Sequence, residues 1–168
     1  MRKYTVAAVL LIICVLFTAC SVQPDADIYE FSERLFRVLD EKPYEPSDYY
    51  FDGDERFSYF LSISGSRSAV ITLSTEENMA VRSFEITLTK ANVPLSADEQ
   101  QYIYRLFMCA CSVLSQRSVE DIKGTLESNA FTAESIDFTE FGNSFSSERL
   151  NFFFRSNSEI ISLYTEII

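Results

Sequence analysis

The chain contains no histidine and no tryptophan. Without histidine there is no Ser-His-Asp or Cys-His catalysis and no His-x-x-His zinc centre. Glycine is scarce: Gly53, Gly65, Gly124 and Gly142 stand far apart. Phosphate loops need clustered glycines so that backbone N–H groups can close on the anion, and neither a P-loop nor a G-x-G-x-x-G turn is present. Past Lys3 the only lysines are Lys42, Lys90 and Lys123. None completes the S-x-x-K pattern of serine–lysine hydrolases. Positive charge is short as well, with 14 Lys and Arg against 25 Asp and Glu, a net charge of −11. Such a chain repels phosphate backbones, so no nucleic-acid partner is expected. Its acidity suits solubility or a basic partner. No apolar run reaches the roughly 20 residues that a membrane-spanning helix needs.

What is present begins at the N-terminus. Met1-Arg2-Lys3 is basic, Val6 to Phe17 is an unbroken apolar run of 12 residues, and Thr18-Ala19-Cys20 closes it with small residues. This is the layout of a secretory signal. Its end, Phe17-Thr18-Ala19-Cys20, resembles the lipobox of bacterial lipoproteins, with Phe17 where leucine is usual and Leu16 one place earlier. The resemblance covers about the first 25 residues. It implies cleavage before Cys20, acylation of that cysteine by fatty chains, and residence on the extracytoplasmic face of a bacterial membrane. Each buried CH₂ contributes about 0.8 kcal/mol, and two or more chains make a durable anchor where one does not. The expected organisation is a signal peptide over 1–19, a lipidated cysteine and tether over 20–26, and a single domain over 27–168.

Asp27, with Glu30 three places on, is a helix start, and Ile28, Phe31, Leu35 and Val38 form an apolar stripe. Pro43 and Pro46 stop that helix near Asp40. Lys42 to Glu55, rich in proline, tyrosine and acid, reads as a long surface loop. Three period-two runs follow: Phe57 to Ile63, Ala69 to Leu73 and Phe84 to Leu88. They predict an antiparallel meander with one buried face. Ser96-Ala-Asp-Glu99 is a capping box opening a long helix through Ile103, Leu106, Phe107, Ala110 and Leu114. A second helix starts at Ser118, with Gly124 weakening it. Strands return at Ile136 to Thr139, Leu150 to Phe154 and Ile161 to Ile167, separated by Gly142-Asn143-Ser144 and Ser156-Asn157-Ser158. The expected class is α+β, in the order α-βββ-αα-βββ, with helices on one face of an antiparallel sheet of about six strands. That layout is similar to the beta-lactamase-inhibitor-protein-like group, and no functional residue is carried over from it.

Four cysteines divide by fate: Cys14 leaves with the signal, Cys20 takes lipid, and Cys109 and Cys111 remain. On a helix, residues two apart diverge by about 200°, so the last two are expected as separate core thiols rather than a bridge. Asp48, Asp52, Asp54 and Glu55 cluster oxygens on one loop, a candidate calcium site, though their spacing is not that of an EF-hand. A solvated acidic loop is the simpler expectation, and no metal or other cofactor is predicted.

The solvent face of the sheet gathers Ser58, Phe60, Ser62, Val70, Thr72, Ser83, Thr87, Thr139, Phe153 and Tyr164. Within it, Phe60, Phe153 and Tyr164 are the candidate partner-binding residues, because hydroxyls with a few aromatics suit a protein or envelope component. Three functional classes remain. The first is a non-enzymatic binding or accessory module, the second a lipoprotein that captures a small ligand, and the third a histidine-free hydrolase working through carboxylates. A flat hydroxyl–aromatic face points to the first, an enclosed apolar cavity to the second, and paired acids in a pocket to the third.

Overall fold

A computed structural model describes residues 26–51, 53, 55–65, 67–90, 93–137 and 140–168. The signal, Cys20 and nearly all of the tether lie outside the described residues, as do Asp52, Asp54 and Thr139. Asp27 opens the fold. Its Oδ1 accepts from the backbone N–H groups of Tyr29 and Glu30, both at 2.9 Å, and caps helix α1, Ile28–Leu39. Ile28, Phe31, Leu35 and Leu39 are buried, while Val38 is exposed. The stripe thus continues by a step of four from Leu35, not three. Asp40 ends the helix in the left-handed conformation at φ 55°. Ala26, expected in the tether, is already buried, and its carbonyl accepts from Val81 N at 2.9 Å.

The sheet has seven strands, one more than expected. The extra strand, β1, is the pair Tyr50–Phe51 inside the expected loop, which also holds a 3-10 turn at Pro46–Asp48. Two residues are too few for a period to show. β2 (Arg56–Ser64), β3 (Arg67–Thr75) and β4 (Val81–Thr89) form the expected meander. Helix α2, Ala97–Ser115, starts at the capping box of Ser96 and Glu99, and α3, Val119–Ser128, is capped by Ser118.

Of the expected strand at Ile136 to Thr139, Ile136 and Asp137 lie in a turn instead, and Phe138 and Thr139 lie outside the described residues. Ala133–Asp137 is a 3-10 turn that buries Ile136. The fifth strand lies later, at Phe141–Ser147, and contains the Gly142-Asn143-Ser144 segment expected as a turn. The turn itself falls after Ser147, where Glu148 takes φ 50°. Local turn chemistry lost here to pairing with the neighbouring strand, because residues Phe141 to Ser147 meet Ser156 to Leu150 one for one. β6 (Leu150–Ser156) and β7 (Ile160–Ile167) complete the chain.

The strand order is β1-β2-β3-β4-β7-β6-β5, antiparallel throughout. Two meanders therefore join through β4 and β7, with Ile86 opposite Leu163. Among the described residues, α1 and α2 pack on one face of the sheet, and α3 packs against α2 with the segment after it reaching the same face through Phe131. Phe31 meets Phe84 at 6.1 Å between ring centroids, Phe107 meets Phe154 at 5.6 Å, and Phe131 stacks on Phe154 at 3.7 Å. Each such buried side chain contributes about 1.5–3 kcal/mol. Cys109 and Cys111 are free and buried in the same layer. Among the described residues no helix is long and apolar enough to cross a membrane.

Candidate functional site: the open face of the sheet

Because successive side chains of a strand point to opposite faces, burying Phe57, Tyr59 and Leu61 under the helices sends Ser58, Phe60 and Ser62 the other way. The register carries that choice across the sheet. One row of the open face runs Tyr50, Ser58, Thr72, Glu85, Tyr164, Phe153, Ser144. The next runs Phe60, Val70, Thr87, Ser162, Arg155, Gly142.

The three expected binding residues do share this face, and two of them touch. The rings of Phe153 and Tyr164 lie 5.5 Å apart at 45°. Phe60 is four strands from Phe153, about 19 Å at the usual strand spacing. It is 78% exposed and Phe153 is 42% exposed, so each shows apolar area to solvent. Thr72 and Ser83, expected as solvent-facing, are buried among their neighbours on this face. Ser58, Val70 and Thr87 are half-buried.

Charge sits at the middle of the face. Glu85 accepts from Ser162 Oγ at 2.8 Å and from Thr87 Oγ1 at 3.1 Å. Glu166 accepts from Tyr164 Oη at 2.6 Å and from Asn151 Nδ2 at 3.2 Å. Burial and the Glu166 carboxylate push the Tyr164 phenol up to about 12. That hydroxyl therefore stays protonated and holds the ring of Tyr164 beside Phe153. Two shallow depressions of about 470 Å³ each flank this centre. One is lined by Gly142, Ser144, Phe153 and Arg155, the other by Ser83, Tyr164 and Glu166.

A larger cleft of about 820 Å³ lies at the end of the sheet, between the β2–β3 hairpin and the start of α2. Arg67, Asp98, Glu99 and Tyr102 line it. Its Glu99 is tied into the start of α2. Glu99 accepts from Ser96 N at 2.8 Å and Ser64 Oγ at 2.7 Å, with Arg67 Nε 3.6 Å away. The Ser96 N–H first, then Ser64 and the guanidinium, hold its carboxyl below the usual range. The hydrogen bond from Ser96 N completes the capping box that opens α2.

No family model, curated protein or solved structure matches this chain. The functional reading therefore rests on the face itself. Glu85, Glu166 and Arg155 belong to it and were absent from the sequence-based set. Their alternation with buried neighbours was the available signal: Glu85 falls between Phe84 and Ile86. The candidate calcium ligands Asp52 and Asp54 lie outside the described residues. Among the described residues no group of three or more Cys, Asp and Glu side chains is placed to hold a metal ion.

Proposed function

We propose that the chain is a lipid-anchored, non-enzymatic module on the extracytoplasmic face of a bacterial membrane. It binds a protein or another envelope component through the open face of its sheet. One observation carries this reading. The described helices cover one face of the sheet, α1 and α2 directly and α3 through α2, and the other face is a surface rich in hydroxyls on which Phe60 and Phe153 stay exposed. Aromatic residues, Phe among them, are enriched at protein interfaces relative to the rest of the surface. The anchor in this reading is Cys20, supported by the basic start, the short apolar run and the small residues before the cysteine.

The test uses the tagged full chain in its own membrane, crosslinked and recovered. The double variant Phe60→Ser with Phe153→Ser changes only exposed positions, so it keeps the wild-type melting temperature and loses the crosslinked partner. A partner retained in full by that variant defeats the binding-face reading. Mass spectrometry of the same preparation reads the anchor: a polypeptide beginning at an acylated Cys20 is expected. A chain beginning at Met1 without fatty chains defeats the compartment.

A second reading, capture of a small ligand, is favoured by the cleft beside Arg67 and Tyr102, whose volume of about 820 Å³ falls within the range of small-molecule sites. Tyr102→Ala distinguishes the two readings. It weakens a ligand held in the cleft and leaves a partner on the open face untouched.

A further inference from the structure

An open sheet ends in two edge strands, and each presents a row of backbone N–H and C=O groups ready to pair. The two edges of this sheet are unlike. β1 has two residues and lies between the acids Asp48 and Glu55. β5 has seven, Phe-Gly-Asn-Ser-Phe-Ser-Ser, with neither charge nor proline. β6 pairs with one side of it, and no described strand lies on the other. Shortness, charge and proline are the usual blocks to edge pairing. β5 has none of them.

A ring at this edge adds a second observation. Phe145 stacks on Phe152 at 4.8 Å and lies 5.7 Å from Phe154, yet it is only partly buried while those two are buried. The cover from α3 ends at Asn129, whose carbonyl accepts from Asn143 Nδ2 at 3.1 Å.

The third observation is charge. Arg155 stands on the open face opposite Gly142, exposed, and ion-pairs with none of the described residues. Gly142 has no side chain, and the nearest atom to where a Cβ would sit is the Phe154 carbonyl oxygen at 4.0 Å. Arg155 thus has a clear path across Gly142 to the edge. Glu148, just past β5, is 63% exposed at its side chain, with Arg117 Nε 3.4 Å away.

We propose that β5 is a dimer edge, at which two copies of this chain join antiparallel about a two-fold axis through Phe145. The product is one continuous sheet with every helix on the same side. In this register Phe145 faces the partner's Phe145, covering both half-buried rings. Ser144 faces the partner's Ser146, and Asn143 the partner's Ser147. Gly142 faces the partner's Glu148, and Arg155 reaches across the glycine to share that carboxylate with the partner's Arg117, twice by symmetry. Moving the axis to Ser144 instead sets Glu140 against the partner's Glu148, a like-charge pair. Charge therefore selects the Phe145 register. A chain of net charge −11 pairs with itself only where its acids meet cations; β5 carries no acid of its own, and this register sets the flanking Glu148 beside Arg155. This inference stands apart from the binding-face reading and does not require the anchor.

Cysteine crosslinking of the full chain in its membrane tests it. Phe145→Cys gives a reducible dimer on mild oxidation, while Tyr50→Cys at the opposite edge gives none. The unsubstituted chain, with Cys109 and Cys111 buried, is the blank. In the Phe145→Cys background, Arg155→Glu or Glu148→Arg lowers the dimer yield several-fold, and the two together restore it. Equal yields from Phe145→Cys and Tyr50→Cys, or reversals without mutual rescue, overturn the proposal. Sedimentation of the otherwise unsubstituted chain in mild detergent guards against a misfolded variant. A concentration-dependent dimer that Ser144→Lys abolishes supports the edge, and a monomer at every concentration overturns it.

Discussion

Glu99 accepts hydrogen bonds from the Ser96 N–H and the Ser64 hydroxyl and lies beside the Arg67 guanidinium. These donors favour its charged form, so its folded pKa is below the unfolded value of about 4.3. The stability it contributes is therefore present above that unfolded value and is lost as pH falls through the folded one. Glu99→Gln should cost about 1 kcal/mol at neutral pH, the usual scale of a helix cap. The gap to wild type should narrow as pH falls from the unfolded value toward the lower folded one. Urea melts at pH 7 and pH 3 measure both ends; a gap of equal size at both means that the carboxylate's charge plays no part. Tyr164 shows the opposite sign at the other end of the scale. Its phenol is raised to about 12, so the contribution is complete below pH 10 and fades as pH climbs through that value. From sequence alone Tyr164 is a partner-facing aromatic. In the fold its hydroxyl is bound to Glu166, and the exposed apolar area next to it belongs to Phe153.

Elements with regular periods were legible in the sequence, and those shaped by neighbours were not. Asp27, Ser96 and Ser118 cap three helices where side-chain chemistry places them. The meander of β2 to β4 alternates in sequence because one of its faces lies under the helices and the other is open, although Thr72 and Ser83 on the open face are buried by their neighbours. β5 fails that test: none of its residues is fully buried, and its Gly-Asn-Ser carries turn chemistry, so only β6 fixes it as a strand. Ile136 belongs equally to an alternating strand or to a single turn dropping one side chain into the core. Packing under α2 decided for the turn. The candidate site was legible to the same extent. Phe60 and Phe153 follow from alternation, while the pairing of Phe153 with Tyr164 depends on β6 lying beside β7, which no local pattern encodes. α3 offers a prediction at this scale. Gly124 is exposed, takes no left-handed conformation, and has open space where a Cβ would sit. Gly124→Ala should raise stability by about 0.5–1 kcal/mol through helix propensity and a less flexible unfolded chain. A thermal melt moved downward would mean that the glycine serves something outside the helix.

At the scale of the whole molecule, the proposed anchor and the proposed edge constrain one another. The Ala26 carbonyl is bound to Val81 N, so the tether leaves from the end of the sheet where β4 begins. From Cys20 to Ala26 the chain reaches at most about 20 Å. An antiparallel pair of β5 strands has its two-fold axis perpendicular to the sheet, so the tether ends of the two copies point in opposite directions along the strands. Standing upright on one membrane, the second copy would raise its Ala26 by about the length of a nine-residue strand, roughly 30 Å. That exceeds the reach of the tether. The two proposals together therefore require anchored copies to lie flat. Ala26 feeds directly into α1, on the helix-covered side, so that side turns to the lipid and the open faces form one platform turned away from it. Labelling of intact membranes with a bulky, charged thiol reagent should modify Phe60→Cys readily and Val38→Cys, on the exposed side of α1, several-fold less. Detergent should equalise them. Equal labelling before detergent would leave the copies upright and single, and would separate the anchor from the shared sheet.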